Sequence, residues 1–138
     1  MNKIKYQVLE GSQNGNPVTY RLILDPLNLK ELYPHRISIF WKYEPRESGL
    51  ASQQTNNDQN TFEDVLDEIE KTGLGIVALV VFGDGRKEWH WYTKDVTEWF
   101  ERMNVILKEY PAYPLQIEHN TNDDWAYHLA FKEWTGLV

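Results

Sequence analysis

GIVALVVFGDGRKEWHWYT, residues 75–93, carries the strongest structural signal in the chain. Its first part, residues 75–82, is a continuous apolar run, which is typical of a strand that is buried on both faces. Gly83, Asp84 and Gly85 then form a tight turn signal, and the segment after the turn alternates polar and aromatic residues as a strand does. This stretch therefore predicts two antiparallel strands inside a sheet.

One helix is predicted on each side of this hairpin. Before it, Asn60 can serve as the N-cap, and Glu63 stands three residues later, as in a capping box. The apolar positions at helical spacing are Phe62, Val65, Leu66 and Ile69. After the hairpin, Asp95 is the predicted N-cap of a second helix. The buried stripe of this second helix is predicted to be Val96, Trp99, Phe100, Met103, Leu107 and Tyr110.

Two further strands are predicted outside these helices. Residues 36–44, RISIFWKYE, alternate in polarity, and residues 115–121, LQIEHNT, follow the second helix. From residue 36 onward the order is strand, helix, strand, strand, helix, strand, which is the split βαβ order of ferredoxin-like α+β folds. In such a fold each helical crossover joins two parallel strands.

Both ends of the chain add to this core. Polar and apolar residues alternate from Ile4, and Asn14-Gly15 predicts the turn of an N-terminal β-hairpin. Asn122 or Asp123 is the predicted cap of a C-terminal helix.

These elements predict a single domain over residues 1–138. It consists of an N-terminal hairpin at 1–25, a ferredoxin-like core at 36–121 and a C-terminal helix at 122–135. The polar segment 45–60 is predicted to be a long loop.

An acidic composition narrows the class of partner. The chain has 138 residues and a formal net charge of −7, with 14 basic residues scattered among 21 acidic ones. Nucleic acids attract clustered Lys and Arg, so this composition argues against a nucleic-acid partner. No apolar run approaches the length of a membrane span, and the N-terminus alternates like a strand, unlike a signal peptide. We therefore expect a cytoplasmic protein that binds neither nucleic acid nor membrane.

The sequence predicts no catalytic residue, no metal site and no cofactor. The absence of Cys excludes disulfides, thiolate nucleophiles and Cys-type zinc sites. Gly83-Asp84-Gly85-Arg86 leads into a strand, whereas a phosphate-binding loop opens a helix. No serine stands in a Gly-x-Ser-x-Gly context. The histidines, which form no pair at metal-binding spacing, are His35, His90, His119 and His128.

The carboxylates of the first helix are predicted to lie in solvent, opposite the apolar stripe of that helix. They are Glu63, Asp64, Asp67, Glu68 and Glu70. Solvated carboxylates of this kind do not indicate acid–base chemistry.

Paired aromatic residues mark a candidate binding surface. Trp41 with Tyr43, and Trp89 with Trp91, each project from one side of a predicted strand. The helices of this fold cover one face of the sheet, so the other face needs a cover: the C-terminal helix, the N-terminal hairpin, a second copy or a protein partner. Because Trp, Tyr and Arg are enriched at interfaces, the predicted partner-binding residues are Trp41, Tyr43, Arg86, Trp89 and Trp91.

Three functions are compatible with these features. The first is a non-catalytic protein-interaction or regulatory domain. The second is a small-molecule-binding or enzymatic domain, in which one strand face presents Arg86, Glu88, His90 and Tyr92. The third is a self-associating, immunity-type protein.

The segment FGDGRKEWHWYTKD, residues 82–95, resembles a small bacterial family called domain of unknown function 695. WKYE at 41–44, PLQIE at 114–118 and DDWAY at 123–127 support the resemblance, which covers roughly residues 36–134. The resemblance implies a bacterial, cytoplasmic, ferredoxin-like domain. It also implies similarity to the RraB type, the regulator of ribonuclease E activity B, which is an acidic protein inhibitor. No catalytic residue follows from this resemblance.

Overall fold

The computed structural model describes residues 5–26, 28–46 and 49–136, so Ile4 of the predicted first strand lies outside the described residues. Within them, one sheet contains β1 (Tyr6–Gln13), β2 (Asn16–Ile23), β3 (His35–Lys42), β4 (Gly75–Gly83), β5 (Arg86–Thr93) and β6 (Leu115–Asn120). The helices are α1 (Leu29–Leu32), α2 (Gln53–Lys71), α3 (Val96–Leu107) and α4 (Ala126–Thr135). None of these helices is long and apolar enough to cross a membrane. The predicted α+β class is confirmed.

The strands lie in the order β1-β2-β4-β5-β3-β6, and every neighbouring pair is antiparallel. β5 lies between β3 and β4, so the crossover through α2 joins two strands that run in the same direction. β3 likewise lies between β5 and β6, which are joined through α3. The assignment of residues 36–121 to the ferredoxin-like folds stays a prediction. The N-terminal hairpin extends the sheet beyond β4.

Two hairpin turns of the same type lie side by side. Asn14 and Gly15 have φ angles of 52° and 80°, and Asp84 and Gly85 have φ angles of 52° and 85°. Two successive left-handed residues define a type I′ turn, whose twist matches that of the flanking strands. The Asp84 carboxylate accepts hydrogen bonds from Asn16 (3.0 Å) and Asn14 (2.9 Å), which lower the pKa of Asp84. These bonds tie the tips of the two hairpins together.

Helix α2 begins earlier than predicted. Its N-cap is Ser52, whose hydroxyl accepts a hydrogen bond from the backbone N–H of Thr55, and not Asn60. The predicted loop at 45–60 is therefore wrong over its second half, where polar residues form two helical turns. Side-chain hydrogen bonds at i, i+4 spacing, such as Gln53 to Asn57 at 2.9 Å, stabilise these turns.

The side of the sheet on which α2 and α3 pack, called here the helix side, holds the larger core. The strand residues that point to it are Ile37, Ile39, Trp41, Val77, Val80, Trp89 and Trp91. The helices contribute Phe62, Leu66, Ile69, Trp99 and Met103. The predicted cap of α3 is confirmed, because Asp95 accepts a hydrogen bond from the N–H of Glu98 at 2.9 Å.

The opposite face, called here the reverse side, is covered by the chain itself. Trp125, at the start of α4, stacks on Tyr92 of β5 with ring centroids 4.3 Å apart. Phe131 of α4 meets Tyr20 of β2 at 5.3 Å, and Leu29 of α1 packs beside Trp125. Of the predicted covers for this face, the C-terminal helix is the one found.

The entry into α4 differs from the predicted cap. Asn122, Asp124 and Trp125 have φ angles of 62°, 51° and 66°, and the helix begins at Ala126. Asp123 accepts a hydrogen bond from the N–H of Tyr127 at 3.2 Å. Left-handed backbone at non-glycine residues costs free energy, so tertiary contacts hold this connection in place.

Candidate functional site

The three predicted tryptophans lie in the core. Trp41, Trp89 and Trp91 are 3%, 1% and 2% exposed, and all three point to the helix side. Alternation correctly predicted that Trp89 and Trp91 share one face, but that face is the one under α2 and α3, where Trp41 of β3 also points. Their rings therefore do not form an open patch.

Tyr43 and Arg86 occupy two separate places. The Tyr43 hydroxyl donates a hydrogen bond to the carbonyl of Gly49 at 2.8 Å, and burial raises the pKa of Tyr43. Arg86 points to the reverse side, where it pairs with Glu88 and leaves 44% of its side chain exposed. The five predicted binding residues are thus not brought together as one surface.

The strand face of Arg86, Glu88, His90 and Tyr92 is formed as predicted, on the reverse side. Glu88 and His90 are both buried within this face. The reason is that Tyr127 of α4 stacks on the His90 ring, with centroids 4.8 Å apart.

Hydrogen bonds join this face to β3. Arg36 donates to the Ser38 hydroxyl at 2.6 Å, and Ser38 Oγ lies 2.8 Å from His90 Nδ1. His90 Nε2 lies 3.0 Å from the Glu88 carboxylate, whose other oxygen meets Arg86. A neutral His90 with its proton on Nε2 satisfies each group, because Ser38 then accepts from Arg36 and donates to Nδ1.

The same network fastens the start of α4. The Asp123 carboxylate accepts hydrogen bonds from Arg36 at 3.2 Å and from the Tyr92 hydroxyl at 2.6 Å. The Tyr127 ring lies over the Arg36 guanidinium at 4.5 Å. Buried charges of this kind are tolerated because they are paired and hydrogen-bonded.

The order Ser38, His90, Glu88 resembles a hydrolase triad, but its surroundings do not suit one. A nucleophilic hydroxyl must reach a substrate carbonyl. Ser38 is 0% exposed, and its oxygen already accepts a hydrogen bond from Arg36. We therefore interpret the network as a structural link between β3, β5 and α4.

A cleft of about 380 Å³ opens on the helix side, between α2 and the N-terminal hairpin. It exists because β2 and β1 continue the sheet beyond β4, past the strand on which α2 packs. Tyr6, Arg21 and Val77 form its floor, and Trp89 and Trp91 line its inner end. Two of the predicted binding residues thus reach this cleft.

Helix α2 gives the cleft an acidic wall, whose members are Glu63, Asp64, Asp67 and Glu70. The expectation that these carboxylates lie in open solvent is wrong for Glu63 and Glu70, which are half-buried. Glu63 accepts a hydrogen bond from Trp89 Nε1 at 2.8 Å, and Glu70 accepts one from the N–H of Val77 at 2.9 Å. Burial raises the pKa of Glu70 above its ordinary value.

Two cations lie at the cleft and leave an excess of negative charge. Lys87 Nζ is 3.6 Å from Glu63, and burial lowers the pKa of Lys87. The Arg21 guanidinium lies 5.8 Å from the Tyr6 ring centre, and its buried Nε has no hydrogen-bond partner among the described residues. Four carboxylates against two cations leave two negative charges when all are ionised.

The Tyr6 side chain gives the floor of the cleft both a hydroxyl group and an aromatic ring. The Tyr6 hydroxyl donates to the carbonyl of Val77 at 3.3 Å, and burial of this hydroxyl raises the pKa of Tyr6 to about 12. The rest of Tyr6 is exposed, with 41% of the residue accessible. The ring is therefore available to a bound group.

Comparison with known proteins gives a family for the chain. The model of a family of unknown function, DUF695, matches residues 8–131. The chain belongs to the DUF695 family. No curated protein and no solved structure matches it.

In this DUF695 domain, the charges and aromatic rings of the cleft are complementary to a cation. In the parts of the chain that the structure describes, no group of three or more His, Asp or Glu side chains is placed to hold a metal ion. An organic cation suits the cleft better, because aromatic rings and separate carboxylates both contact Arg and Lys side chains.

Sequence reasoning about this DUF695 domain missed Tyr6, Arg21 and the orientation of the α2 carboxylates. A usable signal was present, because Glu63, Asp67 and Glu70 follow i, i+4, i+7 spacing along one border of the apolar stripe. The missing information was the position of the hairpin, which decides whether that border faces solvent or a second wall.

Proposed function

We propose that the chain is a non-catalytic interaction domain that binds a basic segment of a protein partner in the cleft beside α2. The observation that carries this proposal is the excess of carboxylates over cations at a cleft whose floor and inner end carry aromatic rings. The proposal includes action in the cytoplasm and a kinship with RraB-type acidic inhibitors, which would agree with an acidic surface that covers a basic one.

The chemistry of the cleft favours an Arg or Lys side chain. A guanidinium donates several hydrogen bonds to carboxylates, and such charge-assisted bonds are about twice as strong as neutral ones. Asp67 and Asp64 are exposed on the wall and can accept them. The exposed ring of Tyr6 can contact the same cation through its face.

The size of the cleft favours side chains of an extended segment. About 380 Å³ lies at the small end of the range of roughly 300–1,000 Å³ for ligand pockets. A folded partner would therefore place one or two side chains here and make its other contacts on the surrounding surface.

Binding of a short peptide that alternates Arg and Thr tests this function. Isothermal titration calorimetry should show that the Arg-Thr peptide binds to the wild-type chain. A matching peptide that alternates Glu and Thr should not bind. The double variant Asp67→Asn, Glu70→Gln should weaken binding by about tenfold or more, because each lost charge-assisted bond is worth about 1.5–3 kcal/mol. Gln keeps an oxygen that can accept from the N–H of Val77, so the fold is retained.

The matched control is Glu68→Gln, which removes a carboxylate from an exposed position of α2 outside the cleft. Its effect should be less than about twofold, because exposed charges contribute little at a distance. Equal losses in the control and the double variant, or no binding of the Arg-Thr peptide at all, would refute the proposed function.

A further inference from the structure

The outer edge of β1, next to the cleft, pairs with no strand among the described residues. In the described part of the chain, β1 pairs with β2 alone, in the register Val8 opposite Arg21. The Lys5 carbonyl accepts a hydrogen bond from the N–H of Leu24 at 3.1 Å, so odd-numbered residues of β1 bond to β2. The even-numbered residues Tyr6 and Val8 therefore direct their N–H and C=O groups outward. The Val8 carbonyl accepts a hydrogen bond from the exposed Gln7 side chain at 3.3 Å, which an added strand would replace.

This edge lacks the features that usually block pairing. Edge strands are protected by charges, prolines, bulges or shortness. β1 is eight residues long, and its register with β2 is regular from Tyr6 to Gln13. Glu10 is its one charged residue. The other edge strand, β6, has six residues and follows Pro114 directly.

The cleft and this edge belong to one surface. Residues directly opposite each other in a ladder share a face, so Val8 lies on the same face as Arg21, a floor residue of the cleft. Tyr6, two residues before Val8, also lies on this face and lines the cleft.

We propose that the partner segment binds as an added strand along β1, with Arg or Lys at alternate positions pointing into the cleft. This inference rests on the proposed function and states how the basic segment is held. An added strand would lie about 5 Å outside β1. Only a long basic side chain can then cross Tyr6 and approach Asp67 and Glu70 on α2.

Charge favours a basic partner over a second copy of the chain. A second copy would offer its own β1, and residues 6–13 contain no basic side chain. Lys5 alternates to the reverse side, away from the cleft. The β1 of a second copy would therefore leave the carboxylates of the cleft without a cation.

The variant Val8→Pro tests the added strand. It removes an outward N–H and places a ring at the edge, without removing a hydrogen bond to β2. Binding of the Arg-Thr peptide should weaken by about tenfold or more, since a hydrogen bond is lost and the approach of the strand is blocked. The matched control Val8→Thr keeps the N–H and the β-branched shape, and it should change affinity less than about twofold.

A modified peptide gives a second measurement that does not depend on the variant folding. An Arg-Thr peptide with N-methyl groups at alternate backbone positions keeps every charge but cannot pair along one edge. Wild-type chain should bind it at least about tenfold more weakly than the unmodified peptide.

Three outcomes would overturn the inference. If Val8→Pro and the N-methyl peptide leave binding unchanged while Asp67→Asn, Glu70→Gln weakens it, the strand pairing is wrong and the proposed function stands. If the Arg-Thr peptide does not bind at all, both are wrong. If light scattering shows a dimer that Val8→Pro converts to a monomer, the occupant of this edge is a second copy.

Discussion

Trp89 is the residue at which core and cleft meet. Its ring packs against Phe62 at 5.1 Å and Trp41 at 6.4 Å, while its Nε1 donates to Glu63 on the acidic wall. The indole thus fixes the position of a cleft carboxylate by a bond made from inside the core. One residue therefore serves stability and the geometry of the site together.

Trp89→Ala should lower the free energy of unfolding by about 3–5 kcal/mol, because it leaves a large cavity beneath α2. Urea unfolding followed by circular dichroism measures this loss. Trp134→Ala is the matched control: Trp134 is 66% exposed, so its replacement should cost less than about 1 kcal/mol. Similar losses in the two variants would show that Trp89 is not a core residue.

For single residues, the sequence predicted which side chains share a face of one strand, but not which residues of other strands they contact. Alternation along residues 86–93 placed Trp89 with Trp91 and His90 with Glu88, and the structure confirms both groupings. The bond between Ser38 and His90 could not be predicted, since it depends on the register between β3 and β5. Periodicity within one strand contains no information about that register.

Among the elements, α4 is the one whose attachment depends most on buried polar groups. His128 is 2% exposed, and its Nε2 donates to the carbonyl of Ile23 at 2.7 Å. Burial lowers the pKa of His128, an effect that the bond to Ile23 partly opposes and the nearby Lys132 increases. The helix is therefore held by a neutral histidine.

The attachment of α4 should weaken in acid. A folded-state pKa below the ordinary value of about 6.5 means that the contribution of His128 is complete above that pH and is lost as the pH falls below it. Urea unfolding at about pH 7.5 and about pH 5.5 should show a smaller acid loss in His128→Gln than in the wild type. His119→Gln, at an exposed position, is the control and should retain the wild-type loss.

The elements that sequence reasoning missed are those stabilised by tertiary contacts. The first turns of α2 contain Asn and Thr, which have low helix propensity, and Gln59 there is completely buried. α1 spans four residues, too few for a periodic pattern. By contrast, the cap and the apolar stripe predicted α3 correctly except for Tyr110, which lies beyond the helix and is exposed. The turn signals predicted both hairpins correctly.

The distribution of charge over the whole molecule favours the approach of the proposed basic partner. The chain carries a formal net charge of −7, so its field attracts cations before contact, and the cleft adds a local excess of carboxylates. The reverse side instead pairs its buried charges internally, through Arg86, Glu88, Arg36 and Asp123. The net charge of the molecule and the carboxylates of the cleft therefore act in the same direction on a cation. The paired charges of the reverse side add little to this attraction.

Salt should therefore weaken the binding of the Arg-Thr peptide. Raising the ionic strength from about 0.05 M to about 0.5 M shortens the screening length severalfold, and the association constant should fall by at least about tenfold. The double variant Asp67→Asn, Glu70→Gln should show a shallower dependence, which calorimetry at each salt concentration would measure. A salt-independent affinity would contradict an electrostatic mode of binding.

The sequence indicated which types of residue form the candidate site, but not where in the fold they come together. Acidic residues on the helix and tryptophans on the strands were evident in the sequence, and Trp89 and Trp91 do line the cleft. What the sequence could not supply was the strand order, which puts β2 next to β4 and so builds a floor opposite Asp67. Long-range pairing between residues 18–22 and 79–83 decides this order, and no local pattern encodes it.

The hairpin extension has a consequence for substitutions near the cleft. Residues 6–23 supply the floor and one border of the cleft, while the core of the helix side begins only at the neighbouring strand β4, with Val77 and Val80. Substitutions at Tyr6 and Val8 should therefore change the proposed binding surface at little cost in stability.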